Sequence, residues 1–328
     1  MDIYFNPEYA KLNEYIEGGT AETFEFECEY GKVCSIYIKR SVPYLIDGEQ
    51  YYDAITPYGY GGPVVVEASD REKLLPAYAE AYKKHCSDEK IVDEFVRFHP
   101  LAENAKDFGG IYETIFSRNT LAIDTADPEF QMTQFVSTCR NKIRKAAKRG
   151  VTVDVDTECR EFDDFIEIYY KTMNKNDATD YYYFEKPYFE QMRDIPGYDL
   201  IMINARLEGK LIGSALFMCS DKNMHYHLSA TDPEYYSYAA NNLILSTAAE
   251  YGHAHGFEWL HMGGGLSSSH EDPLFQFKRS FGRTDRNLKE FYIGKAIFMP
   301  EIYEKLCEEA RKNGIEAGSF FPEYRAAH

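Results

Sequence analysis

Short runs rich in β-branched and aromatic residues take turns with helical stripes along the whole chain, which leaves few architectures open. Phe24–Cys28 and Val33–Ile38 read as paired strands joined by Glu29-Tyr30-Gly31-Lys32. Tyr51–Ile55 and Val64–Glu67 read as two more, joined through Tyr58-Gly59-Tyr60-Gly61-Gly62-Pro63. Leu74, Leu75, Tyr78, Ala81 and Tyr82 recur on one helical face, which predicts a helix over Ser69–Lys84. Ile91–Phe98 is a predicted strand, and Ile111–Ile123 contains another. Asp127–Arg149 reads as one helix. Asp127-Pro128-Glu129 offers a cap, a proline at the first helical position and an acidic first turn, and Gly150 ends it. Val151–Val155 alternates as a strand.

The order then recurs. Helices are predicted around Glu161–Met173 and Tyr188–Asp194, before a meander of Asp199–Leu207, Lys210–Met218 and Asn223–Ser229. Glu208-Gly209 is a hairpin turn, because glycine supplies positive φ. The loop Thr231–Ala240 leads into a helix over Asn241–His255, a strand over Phe257–Met262, and Gly263-Gly264-Gly265. Tyr51–Phe98 and Asn223–Met262 thus share a strand–loop–helix–strand order without residue identity, a weak internal repeat. A meander followed by a helix and a further strand is the α+β pattern of an acyltransferase-type domain. A chain of 328 residues suits two in tandem. The boundary is placed near residue 145, giving 1–145 and 146–295, with 296–328 free to pack back on the first.

Hydrophobic residues make up 44%, enough for packed cores. No apolar run approaches the roughly 20 residues a membrane span needs. Met1–Pro7 has no basic segment and no apolar core, so no secretory signal is expected. The seven cysteines are odd in number and widely spaced, without C-x-x-C. That argues against a disulfide framework or zinc ribbon and for a reducing cytoplasm. With 54 acidic and 36 basic side chains the chain carries −18, which excludes a general nucleic-acid or anionic-membrane coat. A polyanion site would have to be local.

One segment qualifies. Six of the ten residues from Arg140 to Arg149 are basic: Arg140, Lys142, Arg144, Lys145, Lys148 and Arg149. Arg140, Arg144 and Lys148 fall on one helical stripe, Lys145 and Arg149 on a second, and like charges at this spacing repel. An anionic partner would relieve them, and phosphate is the natural one. The alternative is a solvated face paired with the protein's own carboxylates.

Lys278 lies among Phe275, Phe277 and Phe281. If 275–278 is extended, Lys278 points away from the face shared by Phe275 and Phe277. A cation beside apolar walls keeps its field and can stabilise the oxyanion formed when an amine attacks an ester. Tyr235-Tyr236-Ser237-Tyr238 and Asn241-Asn242 stand where acetyltransferases hold the CoA pyrophosphate. That task needs a glycine-rich loop with basic flanks, and this loop has neither, which argues against acetyl-CoA. Its tyrosines and asparagines could bind a sugar, peptide or nucleotide. Tyr58–Pro63 holds three glycines but no following Lys or Ser/Thr, so it reads as a shaped turn. Lys39 and Arg40 end a strand and are candidate diphosphate contacts. His225 and His227 share a strand face, and a general-base role for either is an alternative. No carboxylate or cysteine completes a metal site with them, and no covalent-catalysis signature is present.

Three stretches together resemble the FemAB family, the tandem-GNAT aminoacyltransferases of peptidoglycan cross-bridge synthesis. They are Cys139–Val151, similar to R-x-x-I-R-K-A-x-x-x-G-V; Leu228–Asn242 with Phe257–Gly265, ending in a Gly-Gly pair; and Phe277-Lys278-Arg279-Ser280-Phe281-Gly282, similar to F-K-x-x-F-G. Tyr58–Pro63 also looks like a loop of many members, and no coiled-coil arm is present, as in the compact form. The resemblance implies a cytoplasmic enzyme that moves an amino acid from aminoacyl-tRNA to an amine on a cell-wall precursor, UDP-linked or lipid-linked. It implies no resident cofactor and no stable membrane insertion; acetyl-CoA or another acyl-CoA is the alternative donor. It makes Lys278 and Phe277 the catalytic pair. On this reading Tyr226, Ser229, Tyr236, Tyr238, Asn241, Asn242, Gly264 and Lys39 are expected to meet the substrate, and the six basic residues of 140–149 to meet tRNA phosphate.

Overall fold

The computed structural model describes residues 1–175, 179–316 and 318–326. The chain forms two compact units, one of residues 4–117 and 290–328, the other of 1–3 and 118–289. The first opens with helices α1 (Pro7–Leu12) and α2 (Glu14–Glu17) and strands β1 (Thr20–Cys28), β2 (Gly31–Ser41), β3 (Tyr52–Ile55) and β4 (Val64–Ala68). Helix α3 (Arg71–Asp88) and strand β5 (Ile91–Arg97) follow, and β6 (Glu113–Asp124) carries the chain into the second unit. There the order is α4 (Phe130–Thr133), α5 (Ser137–Lys148), β7 (Val151–Asp156), α6 (Phe162–Lys175), α7 (Lys186–Arg193), β8 (Asp199–Leu207), β9 (Lys210–Ser220) and β10 (Asn223–Thr231). A 3-10 helix over Pro233–Tyr238, α8 (Ala240–Ala254), β11 (Trp259–Gly263) and α9 (Pro273–Arg279) complete it. β12 (Leu288–Ile297) returns the chain to the first unit, where α10 (Pro300–Lys312) lies.

In the first unit the strands pair in the order β1-β2-β3-β5-β12, with β4 also on β2. In the second they pair β7-β8-β9-β10-β11-β6. Every pairing described is antiparallel except β3 with β5 and β10 with β11. Each parallel strand follows a helix, α3 or α8, so the repeat read in the sequence is a repeat of topology. Leu74, Tyr78, Tyr82 and Cys86 of α3 are fully buried against Val33, Tyr37, Ile91 and Val96. In the second unit Ile244, Leu245, Ala248 and Ala249 of α8 share a core with Ile201, Phe217 and Leu260. Tyr58–Pro63 is a shaped turn. Asn104 Nδ2 donates to the Gly61 and Pro63 carbonyls, both at 2.8 Å. At Gly59, with φ +94°, a Cβ would come within 2.4 Å of the Tyr4 ring. Among the described residues no helix is long and apolar enough to cross a membrane.

Two expectations need correction. Asp127–Arg149 is not one helix. The side chain of Gln134 turns inward, donating to Asp124 O at 2.8 Å and accepting from Asp124 N at 2.9 Å and Asn287 Nδ2 at 2.7 Å. Phe135 is buried between Phe130 and Phe281, at centroid distances of 5.6 and 5.1 Å. Gln134 caps α4 with its backbone still near helical, and Val136, at φ −68° and ψ 154°, is extended, which separates α4 from α5. Nor does the boundary fall near 145. Cys139 and Ala146 of α5 lie in the core shared with α8, so α5 is integral to the second unit and the chain divides between 117 and 118.

The first unit also holds a titrating core group. Glu94 on β5 is buried and accepts the hydroxyls of Tyr112 at 2.7 Å and Tyr82 at 3.0 Å. Burial pushes its carboxyl up to about 7. Its folded value lies above its unfolded one, so its stabilising contribution is full below about pH 4.5 and lost as pH rises through 7. Melting curves over a pH series should show the wild type gaining on the order of 3 kcal/mol relative to Glu94→Gln as pH falls from 8 to 5. Parallel profiles for the two proteins would contradict this.

Candidate functional site

Lys278 sits on a helix, not on an extended segment. Asp272 caps α9, accepting from Leu274 N at 2.9 Å and Phe275 N at 3.0 Å, and Pro273 takes the first helical position. One helical turn places Phe275 and Lys278 on the same face, and both are buried. Phe277 faces elsewhere and meets Phe281 edge-on at 5.6 Å. The expected catalytic pair is therefore split: Lys278 faces the site, and Phe277 supports the core.

Lys278 is 7% exposed, and its Nζ donates to the Gly264 carbonyl at 2.7 Å. The ammonium lies 5.9 Å from the centre of the Tyr226 ring. Burial pulls it down to about 8, with Asp272 working in the opposite sense. The Gly264-Gly265 pair follows from packing. A Cβ on Gly265 would stand 2.5 Å from Asp272 Oδ1, the oxygen that caps α9. Arg118 Nη1 holds the same loop through the Gly265 carbonyl at 3.1 Å.

The strand beneath contributes a polar chain. β10 changes register against β9 between Tyr226 and Leu228, so His227 is an inserted residue. In a regular strand Tyr226 and Ser229 would face opposite ways, and the extra residue brings them together. The Tyr226 hydroxyl donates to Ser229 Oγ and accepts from Asn241 Nδ2 at 3.2 Å. Burial pushes the phenol up, and these two partners act against that shift. Burial, helped by His225, drives His227 down to about 3, so it stays neutral at physiological pH. His225 Nε2 lies 2.8 Å from Asp2.

Lys278, Gly264, Tyr226, Ser229 and Asn241 thus form one connected group. Asn242 does not join it: it is buried and reaches Cys139 Sγ at 3.7 Å, tying α8 to α5. Lys39 belongs to the first unit, where its ammonium meets Glu89 at 2.8 Å, Glu22 at 3.5 Å and the Tyr52 ring at 4.6 Å.

The basic helix is exposed at Lys142, Arg144, Lys145, Lys148 and Arg149. Among the described residues none of its six basic side chains has a carboxylate within 4.0 Å, although the chain is strongly acidic. Arg140 is spent on the Phe135 carbonyl, and Arg144 donates to Asn141 Oδ1 at 2.7 Å. Arg149 reaches the tyrosine loop: its guanidinium lies 3.7 Å from the centre of the Tyr238 ring and donates to Ser237 O at 2.7 Å. Tyr236 is 42% exposed, with Lys175 Nζ 4.0 Å from its ring centre. Sequence reasoning missed Asp272, Arg118 and Lys175. Only Asp272-Pro273 carried a local signal, a cap followed by proline.

Residues 133–279 match the acetyltransferase (GNAT) domain family. No curated protein matches the chain in sequence. A crystal structure of FemX superposes with a TM-score of 0.69 at 16% identity, covering 92% of this chain and 94% of that one. The C-terminal domain of a putative lysylphosphatidylglycerol synthetase from Agrobacterium fabrum gives 0.55 at 14% identity, covering 88% and 87%. L-PGS from Bacillus licheniformis gives 0.52 at 12%, covering 90% and 92%. At these identities the likeness is one of fold. Residues 133–279 are similar to GNAT acetyltransferase domains, and the chain as a whole shares the fold of FemX.

Proposed function

We propose that this protein moves an amino acid from aminoacyl-tRNA to an amine of a peptidoglycan precursor peptide, UDP-linked or lipid-linked, with no resident cofactor. The observation that carries the reading is the buried Lys278 ammonium beside the Tyr226–Ser229–Asn241 group. The acceptor amine attacks the ester carbonyl. A C–N bond forms, the ester C–O bond breaks, the amine loses a proton and the ribose hydroxyl regains one. Negative charge gathers on the carbonyl oxygen, and a cation already desolvated and held in place meets it at no reorganisation cost. Binding and orienting two large substrates supplies much of the remaining rate. The exposed lysines of α5, which have no ion pair among the described residues, suit the phosphates of the RNA donor. The names of two structural neighbours, FemX and a lysylphosphatidylglycerol synthetase, accord with aminoacyl transfer.

A second reading, N-acyl transfer from an acyl-CoA, is favoured by one observation. α8 follows Ala239, at φ 56°, and opens without a side-chain cap, leaving backbone N–H groups for an anion. Label transfer assays with purified protein separate the two. Transfer from aminoacyl-tRNA to a UDP-linked muramyl peptide is expected. Turnover of acetyl-CoA, with none from aminoacyl-tRNA, would replace the first reading by the second. A thermal shift with the precursor, without turnover of either donor, would leave a binding protein of the same fold.

A further inference from the structure

The three tyrosines of Pro233–Tyr238 each hold a cation on the ring, and each cation comes from a different element. Arg149, just past α5, lies 3.7 Å from the Tyr238 centroid. Lys175, ending α6, lies 4.0 Å from that of Tyr236. Lys210, opening β9, lies 4.5 Å from that of Tyr235. Tyr235 and Tyr238 lean on the core and stand 5.8 Å apart at 45°, while Tyr236 is 42% exposed. Among the described residues Arg149 and Lys175 have no carboxylate at ion-pair distance. Lys210 has Asp232 at 3.5 Å, and that carboxylate is buried and caps Glu234 N.

A cation–π contact near the surface adds little to folding, so those of Arg149 and Lys175 at one short turn do not follow from stability alone; Lys210 is also held by Asp232 and donates to the Tyr235 hydroxyl at 3.3 Å. They do bring fixed aromatic planes and positive charges together. Unpaired nucleotides are held by that combination: bases stack on rings, and cations line the phosphates. Duplex RNA, with its bases already stacked, would meet only the charges.

We propose that Pro233–Tyr238, with Arg149, Lys175 and Lys210, is a platform for unpaired nucleotides of an RNA. The proposal rests on the reading of an RNA-borne donor and adds a division of labour. The outer face of α5 meets duplex phosphate, and the tyrosine turn receives the single-stranded end. Tyr236 and Tyr238 thereby serve the donor rather than the precursor.

The test is fluorescence anisotropy on the full chain with two labelled probes, a single-stranded oligoribonucleotide of about eight nucleotides and a blunt RNA hairpin. Tyr236→Ala/Tyr238→Ala should weaken oligonucleotide binding about tenfold or more and leave hairpin binding within about twofold. Lys142→Ala/Lys145→Ala should do the reverse. Tyr236→Phe/Tyr238→Phe, which keeps the rings, should bind like wild type and guards against misfolding as the cause. Unchanged oligonucleotide binding by the double alanine variant would overturn the platform, as would equal loss for both probes. If wild type binds the hairpin but not the oligonucleotide, only the platform falls. If it binds neither, the RNA-donor reading falls with it.

Discussion

Lys278→Ala should lower the transfer rate by about 10²–10³-fold, the usual cost of removing one preorganised partner of a developing oxyanion. The chain should remain folded, and a second variant shows why. Lys278 has a folded value of about 8 against 10.5 for an ordinary lysine. Between those values the unfolded chain binds more protons, so stability rises with pH across the window. At pH 7 the buried ammonium costs folding on the order of 3 kcal/mol. Lys278→Met should recover part of this, less about 1 kcal/mol for the hydrogen bond lost at the Gly264 carbonyl. It should melt above the wild type while being inactive, a trade of stability for activity at one residue. The wild-type maximal rate should fall as pH rises through about 8 and the ammonium loses its proton. A melting point well below wild type for Lys278→Met would contradict the cost of burying the ammonium, and full activity in Lys278→Ala would remove Lys278 from the chemistry.

Reversing the charge of α5 should have the second largest effect. Lys142, Lys145 and Lys148 are exposed and make no described ion pair, so their replacement touches RNA before it touches folding. Lys142→Glu/Lys145→Glu/Lys148→Glu should weaken tRNA binding about 10²-fold or more at low salt. It should also flatten the slope of log affinity against log salt by about 2 to 3, since each lost phosphate contact removes roughly one released counterion. The rate at saturating RNA should hold. Arg140 and Arg144 are unsuitable for this test, because they bond to Phe135 O and Asn141 Oδ1. A salt slope equal to that of wild type would show that α5 meets no phosphate.

Most strands and helices were legible because their periodicity is local: Leu74, Tyr78 and Tyr82 announce α3 without help from the rest of the chain. What misled was non-local. Gln134 breaks the helix through Asp124 and Asn287, and the latter lies 153 residues away. The basic run resembled a linker because the burial of Cys139 and Ala146 depends on α8. Within the candidate site, motif resemblance named Lys278, Gly264, Tyr226, Ser229 and Asn241. Their connection depends on a bulge at His227 that no propensity marks. Asn242 next to Asn241 went to the core because successive helical residues point about 100° apart. Arg149 and Tyr238 were read as two features, and only the fold makes them one.

The division of the chain bears on its birth at the ribosome. Residues 118–289 are contiguous, and their sheet can close once that stretch has emerged. The unit containing residues 4–117 still lacks β12 and α10, whose Tyr303 and Leu306 pack on Val42, Ile46 and Val92. The unit that holds most of the N-terminal half is thus the one whose elements are completed last in synthesis. Until β12 has been translated, β5 lacks that antiparallel neighbour and presents an open edge.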